Sequence, residues 1–128
     1  MAEDDLARIV VDVVPQLELT TFYAPYRADG WGHPVFHPEM MVSLLVYAYC
    51  VGERSSRQIE RLCQRDIAFR FIMGNRVPDH ATIARFRQEH QEALATLVTQ
   101  VLRICREAGL GRGGVVAVDG TNLWGSYT

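Results

Sequence analysis

Apolar residues recur along most of this chain at spacings of three and four, the period of a helix with one buried face. The polar residues between them mark where each helix should start and stop. The first stretch opens at Asp4 or Asp5, either of which can accept hydrogen bonds from the first turn's N–H groups, and runs to about Val14, where Pro15 interrupts the ladder. Residues 20–38 break the period with three prolines, two glycines and several aromatics, which predicts a long loop pinned by rings. From Pro38 to about Val51 the chain is apolar nearly all round, predicting a buried core helix with Pro38 in its first position and Gly52 closing it.

Three short helices are predicted next. Ser55 with Gln58 three residues on forms a capping-box signal for a helix to about Gln64, with Ile59, Leu62 and Cys63 inward and Arg57 and Arg61 one turn apart on another face. Asp66 can cap a short helix carrying Ile67, Phe69, Phe71 and Ile72, ended by Gly74-Asn75. Pro78-Asp79 opens a third, with Ile83, Phe86 and His90 on its inner side. Residues 92–108 follow as a long amphipathic helix with Leu94, Leu97, Val98, Val101, Leu102, Cys105 and Ala108 inward. After the glycine hinge at 111–114, Val115 to Asp119 is a β-branched run that reads as a buried strand without a partner. The expected fold is an all-α helical bundle, containing a helix-turn-helix-like trio at 55–90, plus one trailing β-strand. The expected division is a helical domain over residues 1–110 and a hinge with the first strand of a second, incomplete domain over 111–128.

Composition adds bounds. The chain has 128 residues, 48% hydrophobic and 22% charged, which suits one globular domain and excludes a disordered or fibrous chain. Cys50, Cys63 and Cys105 are odd in number and widely spaced, so neither a disulfide framework nor a zinc finger is expected, and each falls among apolar helical residues. The acidic start Glu3-Asp4-Asp5 is the wrong sign for a signal peptide, and the longest apolar run is shorter than the roughly 20 residues of a membrane span. A soluble cytoplasmic chain is the expectation.

Charge changes the picture more. The net charge of -2 hides a gradient: residues 1–53 hold two Arg against eight acids, residues 54–87 eight Arg against three acids, and the remainder three Arg against four acids. Every cation is Arg, whose planar fork suits phosphate oxygens and guanine edges, although a GC-rich genome would also favour Arg over Lys. On the third short helix Thr82 and Arg85 share a face that could enter a major groove, Arg85 on a base edge or a phosphate. Arg54, Arg57, Arg61 and Arg87 complete the candidate DNA-binding set. A solvated basic face on a helical bundle stands as the alternative reading of the same residues.

Asp119, at the carboxyl end of the predicted strand, is the candidate catalytic residue and Mg²⁺ ligand, because a strand end fixes a carboxylate beside solvent. With Gly120-Thr121 behind it, Asp119 could equally form a turn. His33 and His37 are four apart, but Pro34 and Pro38 forbid the helix that would bring them together, so no metal site is expected there. His80 beside Asp79 is not read as an acid–base pair, since adjacent helical residues point apart and Asp79 serves as a cap.

The FHP before the buried helix, SSRQIE, PDHATIARFR and the strand ending VDGT, in that order across residues 20–121, resemble the N-terminal part of bacterial insertion-sequence transposases of the DDE class. The resemblance implies that the 55–90 region binds double-stranded DNA, at the element's terminal inverted repeats. It also implies that Asp119 is the first of three metal-holding carboxylates in an RNase H-like catalytic domain using Mg²⁺. The other two lie far downstream in the family, and the residues after VDGT depart from its pattern, so the expectation is a truncated copy that binds no Mg²⁺ tightly and is inactive alone. An alternative is a stand-alone, non-catalytic DNA-binding protein that acts as a decoy for full-length transposase. A weaker reading is a homodimer in which helix 92–108 buries its stripe, including Leu97 and Val101, against a second copy.

Overall fold

A computed structural model describes residues 3–22 and 36–107. Six α-helices with both ends described occupy most of this span, residues 20–22 are also helical where the loop was expected to begin, and no strand is present among the described residues. The expected strand at 115–119, its hinge, Asp119 and most of the loop expected at 20–38 lie outside the described residues.

Helix α1 (Glu3–Val13) begins earlier than its expected cap, so Asp4 and Asp5 fall within its first turn. It buries Leu6, Ala7 and Val10. Pro15 cannot donate to the α-ladder, and the chain tightens instead into one 3₁₀ turn, Val14–Gln16, closed by Leu17 N–H donating to the Val14 carbonyl at 3.0 Å.

Helix α2 (Pro38–Cys50) starts where a proline ring is pre-set for helix and Glu39 lies near the positive end. Every residue from Met41 to Cys50 is buried. The reason is its place: α1, the 3₁₀ turn and three further helices all pack on it. Each fully buried Val or Leu there contributes about 1.5–3 kcal/mol. Gly52, at φ +83, turns the chain out of the helix.

Helices α3 (Ser56–Arg65), α4 (Ile67–Met73) and α5 (His80–Glu89) match the expected trio closely. A helix-turn-helix arrangement of the trio is not shown by their packing. Both α4 and α5 lean on α3 and scarcely touch each other, so the consecutive pair α4–α5 forms no packed corner. Helix α6 (Gln91–Glu107) follows at once and lays Leu94, Leu97, Val98, Val101, Leu102 and Cys105 inward, chiefly against α2. That stripe, expected to bury itself against a second copy, is covered within the chain. All three cysteines are buried, and burial pushes the Cys50 and Cys63 thiols up to about 12.

Candidate nucleic-acid interface

The basic stretch folds as three helices whose starts are fixed locally. Ser55 Oγ accepts from Gln58 N–H at 3.3 Å. The expected capping box is only half made, because the Gln58 side chain turns forward to accept from Arg61 Nη1 at 3.0 Å, while the Ser55 N–H goes to Glu53. Asp66, in extended conformation, breaks the chain between α3 and α4 and accepts from Ala68 and Phe69 N–H at 3.0 and 3.2 Å. Asp79 accepts from Thr82 N–H at 2.9 Å.

The expected DNA-binding residues separate into two groups. Arg57, Arg61 and Arg85 are exposed, and Thr82 is half-buried one turn before Arg85. Arg65, which sequence reasoning passed over, is also exposed and extends Arg57 and Arg61 into a stripe of three guanidinium groups one turn apart along α3. Arg70 is exposed on α4. Arg54 is half-buried, its guanidinium carbon 4.6 Å from the centre of the Tyr49 ring.

Arg87 belongs inside. It is 0% exposed, and its guanidinium donates to the Arg54 carbonyl at 2.7 Å and to Ser56 Oγ at 2.6 Å, clamping the α2–α3 connection to α5. A side chain so placed reaches no external phosphate in this conformation, so Arg87 leaves the set of surface candidates. The signal was in the sequence: Ile83, Phe86, Arg87 and His90 follow the i, i+3, i+4, i+7 rule of the inward stripe.

The three acids of the basic stretch decide its electrostatics. Asp66 and Asp79 cap α4 and α5, and Glu60 reaches from α3 to the start of α5, where Oε1 accepts His80 N–H at 2.8 Å and lies 2.8 Å from His80 Nδ1. The hydrogen bond from the His80 side chain, then that from its N–H, holds the Glu60 carboxyl below its usual range. Asp79 is lowered in the same way by the Thr82 side chain and N–H. Each carboxylate therefore faces the positive end of a helix, and none forms an ion pair with an arginine. The Glu60–His80 link was missed at the level of sequence because the partners lie 20 residues apart and meet only when α5 packs on α3.

Asp119 lies outside the described residues, as does His33. His37 precedes α2 as its cap residue, in extended conformation and exposed. Among the described residues no group of three or more His, Cys, Asp or Glu side chains converges as a metal site would require, and no helix is long and apolar enough to cross a membrane.

The described part of the chain is thus a helical domain whose exposed Arg57, Arg61, Arg65, Arg70 and Arg85 lie on three successive helices. The profile of a known family, the transposase domain DUF772, matches residues 1–89, which spans α1 through α5. The chain belongs to that family. No curated protein and no solved structure matches it.

Proposed function

We propose that this chain is the DNA-recognition part of an insertion-sequence transposase, binding the element's terminal inverted repeats through α3 and α5. One observation carries this reading: all three acids of the 54–87 stretch are taken up at helix starts, and among the described residues Arg57, Arg61, Arg65, Arg70 and Arg85 are exposed with no carboxylate paired to them. The stripe Arg57–Arg61–Arg65 has a cost that supports the same reading. Like charges one turn apart destabilise a helix by about 0.2–0.5 kcal/mol per pair, a cost that a bound phosphate backbone relieves. Arg57 and Arg61 take backbone phosphates, Arg85 takes a base edge or a phosphate from α5, and Thr82 assists as a lesser donor.

In the same proposal Asp119 is the first carboxylate of a DDE triad and, in the complete enzyme, a ligand of Mg²⁺. That role rests on the VDGT motif and on the family, since no described residue adds to it.

The test is equilibrium binding of the purified chain to labelled duplexes carrying the terminal repeat, over a salt series. Affinity is expected to fall steeply with salt, and Arg57→Ala or Arg61→Ala to reduce the slope of log affinity against log salt by about one each, uniformly across sequences. Arg85→Ala is expected to cost about 1–3 kcal/mol on the repeat and to relax discrimination. Failure to bind the repeat even in dilute buffer overturns the proposal, and unchanged affinity in R85A removes Arg85 from the reading role.

A further inference from the structure

The outward face of α4 departs from the pattern of the rest of the surface. Ile67 and Phe71 are 78% and 51% exposed, one helical turn apart, while Ala68, Phe69, Ile72 and Met73 on the opposite face enter the core. Between the exposed pair, at i+3 from Ile67, stands Arg70. These three residues, with Gly74 and Asn75, line an open hollow of about 360 Å³. No carboxylate lines it, because Asp66 at the head of the helix is committed to the N–H groups of Ala68 and Phe69.

Arg70 is held in place. Gly74 and Asn75 both take the left-handed conformation, with φ of +60 and +65, and Asn75 Oδ1 accepts from Arg70 Nε at 3.2 Å. That bond holds the guanidinium through Nε, and the residue remains exposed. The face therefore offers an aromatic ring, an aliphatic side chain and a pre-positioned cation within one turn and a half of helix. A single unstacked nucleotide has the complementary set, a flat apolar base joined to its own phosphate. Aromatic side chains stack on such bases without regard to sequence, and apolar wedges enter opened base steps. Helix α4 packs on α3, the helix that bears the Arg57–Arg61–Arg65 stripe.

We propose that Ile67, Arg70 and Phe71 form a site for an unstacked DNA base, with Phe71 and Ile67 against the base and Arg70 on its phosphate. The proposal rests on the DNA-binding reading above and adds to it a preference for locally opened DNA. Two duplexes of identical sequence serve as probes, one fully paired and one with a single unpaired 2-aminopurine, with binding followed by anisotropy and by 2-aminopurine fluorescence.

The wild-type chain is expected to favour the opened duplex about tenfold and to change the fluorophore's emission on binding. Phe71→Ala is expected to lose both effects while binding the paired duplex as before, and Phe71→Trp to keep them. Because Phe71 is exposed, thermal melts of both variants should match wild type, which separates loss of the site from loss of the fold. Equal wild-type affinity for the two duplexes overturns the site but leaves the DNA-binding reading standing, as does a preference that survives F71A. Binding to neither duplex overturns both. A wild-type sedimentation mass of a dimer that F71A reduces to a monomer, with no duplex preference, assigns the face to a second copy and overturns the site.

Discussion

At the scale of single residues, the most informative side chain is Arg87, a charge in the interior. Replacing it with Met keeps the length but leaves the Arg54 carbonyl and the Ser56 hydroxyl without their donor, at an expected cost of about 2–4 kcal/mol in urea denaturation. Arg87→Lys should recover only part, since one ammonium cannot reproduce the two-pronged geometry. Repeat binding by the fraction of R87M that stays folded should match wild type, in contrast to R85A. Glu60 supplies a second test. Its folded carboxyl lies below its ordinary value of 4.5, so the link to His80 contributes in full above that pH and is lost as pH falls through the lowered value. Glu60→Gln keeps an acceptor but no charge. The stability gap between wild type and E60Q, read from urea midpoints, should therefore be widest near neutrality and close on acidification. Both residues show where sequence reading stops: the spacing of Arg87 announced an inward position that its charge obscured, whereas nothing local announced that Glu60 would find His80.

At the scale of elements, the helix boundaries were the most legible part of the chain, because caps are local chemistry. Ser55, Asp66 and Asp79 accept from the N–H groups their positions implied. Gly74-Asn75 ends α4 with both residues left-handed, and Asn75 N–H donates to the Arg70 carbonyl at 2.9 Å. Helix α4 has seven residues and so depends on its ends. Asp66→Ala is expected to cost about 1 kcal/mol. Gly74→Ala should cost about 1–2 kcal/mol through backbone conformation alone, because a Cβ there would meet nothing within 4 Å. Gly74→Asn should cost less than Gly74→Ala, and thermal melts of the three variants give the ranking. What the elements concealed was their mutual arrangement. The sequence order suggested a helix-turn-helix-like trio over 55–90, but which helices of the trio pack together depends on contacts that no local signal announces, and α4 and α5 both pack on α3 and scarcely on each other.

At the scale of the whole molecule, the charge gradient and the helix that is apolar all round are both legible in the sequence, and the second explains the architecture: α2 is central because no face of it is fit for water. The destination of the 91–107 stripe was not visible, since a helix with one greasy face packs equally well on its own chain or on another. The fold settles that it lies on α2. Leu97→Asp is accordingly expected to abolish cooperative unfolding, at a cost above about 4 kcal/mol within a total of about 5–15, and not to convert a dimer into folded monomers. Circular dichroism with sedimentation distinguishes the outcomes. The way α4 and α5 share α3 has one more consequence. A ten-residue helix is only about 15 Å long, and this one acts as a spindle between two arms that are not braced against each other. Both arms take their seat from its inner face, so damage to Ile59 or Cys63, buried there, would loosen the hold on both at once.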